Sequence, residues 1–249
     1  MKPKTAPRKT PIIPALLIAI GLLTAAGQPA EDPAARLQEK LRALRSLQAD
    51  FEQWYYSGTV AKPLHEKGRL FLQKPDLMRW EYTEPEAKVF LYKDEVFSQY
   101  YPEDGQLIRS SLAKAQYESE VLTLLSGQKN LDQDYEIKPD LSTPEARAVG
   151  RLTLVPRVEG EYSAISLDVD SRTGLIRRAD FQDSAGNHTV FNFNKIKENP
   201  ALKAAVFVLD IPPDTEIIDE AAPPLPVRKK GPPRLLSRAP GLEAGSGRN

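Results

Sequence analysis

The stretch from Glu66 to Pro102, EKGRLFLQKPDLMRWEYTEPEAKVFLYKDEVFSQYYP, limits the folds open to this chain more than any other. Gly68, Leu70 and Leu72 alternate with Arg69, Phe71 and Gln73. Met78, Trp80 and Tyr82 alternate with Arg79 and Glu81, and Val89 and Leu91 interleave with Phe90 and Tyr92. A period of two belongs to strands with one buried face. Lys74-Pro75-Asp76, Thr83 to Glu86 and Lys93-Asp94-Glu95 interrupt the pattern with turn residues, since Pro fixes φ and Asp bonds the backbone two residues on. Four successive strands joined by short turns read as an antiparallel meander, and its apolar, partly aromatic face has to be buried against something. Function turns on whether that something is protein or ligand.

The rest of the chain extends the same reading. Asp32-Pro33 opens a helix with a capping residue and a first-turn proline. Leu37, Leu41, Leu44 and Leu47 continue it as one narrow apolar stripe, expected to lie across a sheet. Gln48 to Ser57 is a first strand, with Ala49, Phe51 and Tyr55 on alternate positions. Around Lys114 to Ser126 the period changes: Val121, Leu124 and Leu125 sit at helical spacing, and Gly127 suits the position just past the helix. Strands resume to the end, with Ile165 and Leu167 facing inward. The total is about eleven strands and two helices, too few strands for two good layers. An open, curved antiparallel sheet follows, with both leucine-bearing helices over one concave face and an apolar volume beneath them.

The two ends differ from the centre. Residues 1–30 are basic and then apolar from Ile12 to Ala26, followed by small residues, which is the layout of a secretory signal peptide. The apolar run falls short of the roughly 20 residues that a spanning helix needs, so cleavage is expected after Ala26, Gly27 or Ala30 rather than an uncleaved anchor. Residues 221–249 are rich in Pro, Gly and Arg without period, and read as a disordered basic tail. The ends carry +4 and +5 in a chain of zero net charge, so the domain at 31–220 carries −9. An acidic body does not suggest nucleic-acid binding, which wants a basic face.

The chemistry on offer is sparse. Without cysteine the chain has no disulfide, no thiolate metal site, no thiol nucleophile and no lipidated N-terminal residue. Its two histidines, His65 and His188, are far apart in sequence. Asp168 and Asp170 would share an outward strand face and read as solvated side chains rather than a catalytic pair. No phosphate loop or nucleophile elbow is present. The expectation is a monomeric non-enzyme with no metal and no cofactor.

Read from composition alone, the apolar face is an ordinary core. The order of motifs says more. A leucine-striped helix, A-D-F-E-Q at 49–53, G-R-L-F-L followed by K-P-D-L-M-R-W-E-Y to Tyr82, a Lys-Asp-Glu turn before V-F-S-Q-Y-Y-P, a central helix and F-V-L-D-I-P-P-D-T-E-I near the end resemble the periplasmic outer-membrane lipoprotein carrier (LolA-type) family. The resemblance covers roughly Ala34 to Asp219 and implies an unclosed β-barrel whose apolar cavity shelters lipoprotein acyl chains under helical lids. Carried onto this sequence, it assigns Phe51, Leu70, Leu72, Met78, Trp80, Leu91, Ile165 and Leu167 to the cavity. Leu37, Leu41, Leu44, Val121, Leu124 and Leu125 go to the lid. The family usually has Arg before the Pro of its R-P motif, holding the lid shut; here that position is Lys74, a candidate latch with a rotatable ammonium instead of a planar fork. The implied partners are lipoproteins, an inner-membrane ABC transporter that loads the carrier and an outer-membrane receptor lipoprotein that unloads it, all acting at the periplasm. The alternatives are a lipid-sensing regulatory module of the same fold and a carrier of another lipid or glycolipid.

Overall fold

The computed structural model describes residues 32–111 and 116–220. The signal-peptide and basic-tail readings, and the first residues expected of the second helix, lie outside the described residues. Helix α1 (Pro33–Ala43) leads into six strands: β1 (Ser46–Tyr56), β2 (Leu64–Gln73), β3 (Leu77–Glu84), β4 (Lys88–Lys93), β5 (Val96–Tyr101) and β6 (Gln106–Ser111). Helices α2 (Gln116–Ser126) and α3 (Leu131–Asp134) follow, then β7 (Tyr135–Pro139), α4 (Pro144–Ala148), β8 (Arg151–Pro156), β9 (Tyr162–Val169), β10 (Ile176–Asp183) and β11 (His188–Glu198). A 3-10 turn at Ala204–Phe207 precedes β12 (Glu216–Asp219).

All of these strands join one sheet in the order β12-β6-β5-β4-β3-β2-β1-β11-β10-β9-β8-β7, whose edges are β12 and β7. The sheet is therefore not closed on itself. The chain starts in the middle, meanders to one side as far as β6, restarts at the far edge with β7 and returns to pair β11 with β1. Every pairing is antiparallel except β12 with β6, which is parallel. That exception has a topological cause, because β12 arrives by a long crossing from the centre of the sheet and not through a hairpin.

Two crossings cover the two faces. The segment from β6 to β7 carries α2 over one face; here Val121, Leu122, Leu124 and Leu125 join a core with Leu37, Leu41, Phe51, Leu70, Met78, Trp80, Ile165 and Leu167. The segment from β11 to β12 runs over the other face. Phe207 packs there on Phe71 and Leu91, and Leu209 and Ile211 lie against Val89, Tyr100 and Leu107.

Leu91 thus leaves the set of expected cavity residues. In β4 the concave-side residues are Phe90 and Tyr92, both of the aromatic alternates, and Leu91 points to the opposite face under Phe207. Both alternating sets of β4 are apolar, so periodicity alone does not choose between them. The leucine stripe is also shorter than expected. Helix α1 ends at Ala43, Leu44 follows it, and Leu47 lies in β1 opposite Leu72. Asn199 stops the helix, because its Oδ1 accepts from the backbone N–H of Arg45 at 2.8 Å and starts the chain on its strand course. At the other helix Gly127 does sit in the left-handed region, φ 71°, with its N–H donating to the Leu124 carbonyl at 3.1 Å.

The middle of the sheet is organised around Phe51. Its ring lies 4.9 Å from Trp80 and 5.0 Å from Tyr82, both edge-on, and 6.2 Å from Phe191. Room for it comes from Gly68, its cross-strand partner at an irregularity between β2 and β3. A Cβ at Gly68 would stand 2.2 Å from the Glu81 carbonyl oxygen and 2.7 Å from Phe51 Cζ. Overpacking costs roughly 1–3 kcal/mol, and a backbone atom cannot swing away as a side chain can. Gly68→Ala is expected to lose about 3 kcal/mol, at the upper end of that range; urea unfolding followed by tryptophan fluorescence measures it, and a loss under about 1 kcal/mol would show that the aromatic cluster yields readily.

Candidate functional site

Beneath α2 the concave face is not filled. A cavity of about 360 Å³ lies between the helix and the sheet. Its roof is Val121 and Leu122, and its floor is aromatic: Trp80, Phe90, Phe97 and Phe191, with Tyr55, Tyr82 and Tyr162 around them. The rings pack in two groups, Trp80 5.1 Å from Phe191, and Tyr82 5.3 Å from Phe90 with Phe90 5.9 Å from Phe97, joined through the buried Phe51. Trp80 meets its own polar need within the wall, since its Nε1–H donates to Met78 Sδ at 3.2 Å. An aromatic-floored hollow of this size is within the roughly 300–1,000 Å³ common for ligand pockets.

Beneath α1 the concave face is nearly full. A gap of only about 30 Å³ remains there, lined by Leu41, Leu44, Leu70, Leu72 and Leu125 among others. The expected site residues therefore divide. Trp80 and Val121 line the large cavity; Leu41, Leu44, Leu70, Leu72 and Leu125 line the small gap. Phe51, Met78, Leu37, Leu124, Ile165 and Leu167 are fully buried in the core that supports both, and Leu91 is on the other face. Sequence reasoning missed Tyr55, Tyr82, Phe90, Phe97, Tyr162 and Phe191 as cavity residues. For Tyr82, Phe90 and Tyr55 the signal was present, as each belongs to an alternating set already visible. For Phe191 the sequence holds no sign that β11 lies beside β1.

Each covering helix is tied down by polar contacts. In α1 the buried Gln38 accepts from the Leu131 N–H at 2.9 Å, and Lys40 pairs with Glu198 at 2.7 Å. In α2 Glu120 accepts from the Tyr135 hydroxyl and pairs with Lys129 at 3.3 Å. Burial, followed by the bond to Glu120, pushes the Tyr135 phenol well above its usual range, so it stays a donor.

Lys74 serves the end of α1. Its Nζ donates to the Leu41 carbonyl, and its backbone N–H donates to the Arg45 carbonyl at 2.8 Å. The helical partner of Leu41 O would be the Arg45 N–H, which Asn199 has taken. The ammonium thus satisfies one of the orphan carbonyls that any helix C-terminus leaves, at the negative end of its dipole. Gly127 closes over it, since a Cβ there would lie 3.0 Å from both Lys74 Nζ and Leu41 O. The contact brings the end of α1, the 74–76 turn and the end of α2 to one point.

The structure thus combines an unclosed, mainly antiparallel sheet with helices over an aromatic cavity. Residues 42–210 match the family described as "Outer membrane lipoprotein carrier protein LolA", and the chain belongs to that family. The outer-membrane lipoprotein carrier protein of Dechloromonas aromatica is 27% identical over 193 residues, 74% of this chain and 86% of the relative. That of Pseudomonas fluorescens (Pf-5) is 26% identical over 204 residues, 82% and 95%. Among solved structures, a LolA superfamily protein from Nitrosomonas europaea aligns with a TM-score of 0.41 at 14% identity, covering 73% of this chain and 98% of that one.

Burial lowers the Lys74 pKa from its ordinary 10.5. Freed into water the amine returns to that value, so between the two values the closed arrangement binds fewer protons than the open one. Stability should therefore rise with pH through that window, and the burial penalty is complete below it. Lys74→Leu is expected to destabilise at pH 7 by about 1–2 kcal/mol, the cost of an unpartnered buried carbonyl. Urea midpoints measured from pH 8 upward should show wild type gaining on Lys74→Leu. A shrinking gap would mean that ammonium–carbonyl attraction outweighs desolvation.

Proposed function

We propose that the protein is a periplasmic carrier that shelters the acyl chains of lipoproteins as they pass from the inner to the outer membrane. The observation that carries this reading is the aromatic cavity under α2, in a chain of the lipoprotein carrier family. The physical need is plain. Each buried CH₂ contributes about 0.8 kcal/mol, so one sixteen-carbon chain exposed to water costs roughly 12 kcal/mol, and a lipoprotein bears two or three. A cavity walled by Trp80, Phe90 and Phe191 replaces the bilayer for the duration of the crossing. On this reading an inner-membrane ABC transporter loads the carrier and an outer-membrane receptor lipoprotein unloads it. Affinity must then rise from loader to carrier to receptor, so the carrier must not hold its cargo too tightly.

Residues 1–30 act as a signal peptide in this proposal, and 221–249 as a basic tail. N-terminal sequencing of the exported protein should begin between Gly27 and Glu31, and a full-length membrane-bound product would reject export by cleavage.

Lys74 serves as the latch on α1. A closed protein loads only after opening, so apparent affinity falls with the competent fraction. An apolar fluorescent probe should bind Lys74→Leu more tightly than wild type, and wild type more tightly than Lys74→Arg, whose planar fork adds donors. Equal binding by all three would leave α1 held by its leucines alone.

The direct test is mass spectrometry of lipid that copurifies with the mature protein, followed by titration with a synthetic diacylated lipopeptide. Saturable uptake, weakened at least tenfold in Trp80→Ala while the protein remains folded, is expected; tenfold corresponds to about 1.4 kcal/mol. Absence of bound lipid together with no uptake of lipopeptide or apolar probe would overturn the proposal. Uptake of free glycolipid in preference to lipopeptide would redirect it to another cargo.

A further inference from the structure

The floor of the cavity is aromatic, but one wall is polar. Gln53, Glu66, Lys88 and Thr189 line it. All four come from the same end of the sheet: Gln53 stands opposite Glu66 across β1 and β2, Lys88 opposite Tyr82 across β4 and β3, and Thr189 opposite Tyr55 across β11 and β1. That end carries the 57–63 loop and is remote from α1, whose leucines meet the far ends of the same strands.

This wall has more hydrogen-bonding capacity than its internal bonds use, both in donors and in the remaining lone pairs of the Glu66 carboxylate. The Tyr82 hydroxyl donates to Gln53 Oε1 at 2.7 Å, which orients the amide and leaves its two N–H donors without a partner among the described residues. Lys88 Nζ gives one N–H to Glu66 Oε1 at 2.5 Å, and its ammonium lies 4.5 Å from the centre of the Tyr82 ring and 5.6 Å from that of Phe90. Among the described residues two ammonium N–H groups remain without an acceptor, and the Thr189 hydroxyl adds a further donor. Lys88 and Glu66 side chains are each only 20% exposed. Donors that reach water at the edge of a cavity lose that partner when an occupant displaces it, unless the occupant supplies acceptors. A hydrocarbon chain has none. The groups that join acyl chains to a glyceryl unit do: each ester presents a carbonyl oxygen.

We propose that this wall reads the ester carbonyls of a glyceryl-linked acyl ligand, with Gln53 Nε2 and Lys88 Nζ donating. The acyl chains then lie on the aromatic floor beneath α2, and the glyceryl linkage stays at the end of the sheet that bears the 57–63 loop. Depth of insertion is fixed by the carbonyls and not by chain length. This inference rests on the acyl-carrier reading above. Two sources share the chemistry, the diacylglyceryl group of a lipoprotein and that of a phospholipid.

The test compares a synthetic dipalmitoyl-glyceryl lipopeptide with its ether-linked counterpart, which lacks only the carbonyls, both displacing an apolar fluorescent probe from the mature protein. The ester is expected to bind about tenfold more tightly, a difference of about 1.4 kcal/mol. In Gln53→Leu, and in the double variant Glu66→Gln/Lys88→Met, which removes the pair without stranding a carboxylate, the ester-to-ether ratio should fall toward one. The wild-type comparison stands even where a variant does not fold. Dipalmitoyl phosphatidylglycerol in the same assay assigns the source: displacement equal to that by the lipopeptide supports glycerolipids generally, and weaker displacement supports the lipoprotein linkage. Equal ester and ether affinity in wild type, or a ratio unchanged in the variants, overturns the inference and leaves the carrier reading standing. Failure of the probe itself to bind overturns both.

Discussion

The architecture depends on one topological constraint: β6 and β7 are consecutive strands placed at opposite sides of the sheet, with only β12 beyond β6. The chain between them has to cross the sheet, and a crossing segment has to bury an apolar side or remain an exposed loop. It does so as α2, with Val121, Leu122, Leu124 and Leu125 against the concave face. The cavity follows from that arrangement. A helix spanning a curved surface touches it along a line, so space remains where the curvature is deepest, under Val121 and Leu122. The second crossing, from β11 to β12, seals the convex face with Phe207 and its neighbours and removes any need for a second sheet.

Within that frame the two helices do different work. Helix α1 precedes the first strand and lies where the sheet begins, fixed by Gln38, Lys40 and the Lys74 bond at its end. It fills its side of the hollow almost completely. Glycines allow the approach: a Cβ at Gly174 would stand 3.0 Å from the Arg36 carbonyl oxygen. Helix α2 shares one of these ties, since Gly127 packs over Lys74 and Gln128 donates to the Pro75 carbonyl at 3.3 Å. Opening at α1 would thus loosen the end of α2 as well. The small gap and the large cavity lie under neighbouring helices tied to one lysine.

Much of this was legible in the sequence, for a physical reason. A strand with one buried face writes its period into the chain, and the turns at Lys74-Pro75-Asp76 and Asp94-Glu95 are short enough to allow only hairpins. The second of these adopts left-handed values at both residues, φ 52° and 64°, as a two-residue hairpin requires even without glycine. The helices were legible from their leucines and from Gly127. What could not be read was which of two apolar faces is concave. In β3 Arg79 and Glu81 mark the outer side, but in β4 Val89, Phe90, Leu91 and Tyr92 are all apolar, and the face is decided by register, which sets Leu91 opposite Arg79 and Phe90 opposite Trp80, and by Phe207, more than a hundred residues later. Pairing between distant strands is equally silent, which hid Phe191. Leu47 was misassigned because a helical stripe and the first inward residue of a strand coincide when the boundary falls between them, and the boundary is set by Asn199, remote in sequence.

The polar wall poses the sharper thermodynamic question. A cavity evolved only to hold hydrocarbon would gain by replacing Lys88 and Glu66 with apolar residues, since a buried ion pair commonly fails to repay its desolvation. Position reduces that cost without removing it. Both side chains keep some solvent contact, and the ammonium is further supported by the faces of Tyr82 and Phe90. Structural need does not account for the pair: the strands that carry it are already paired along their length, and Phe51 with its neighbours holds the sheet's centre. What the pair does provide is a charge held at a fixed depth, beside an amide oriented by a buried tyrosine. A cargo of bare hydrocarbon could slide along an aromatic floor at almost no cost, because every CH₂ is like the next. Fixed donors at one end of that floor would break the degeneracy, so that, on the acyl-carrier proposal, a chain that entered would stop where its first acceptor does.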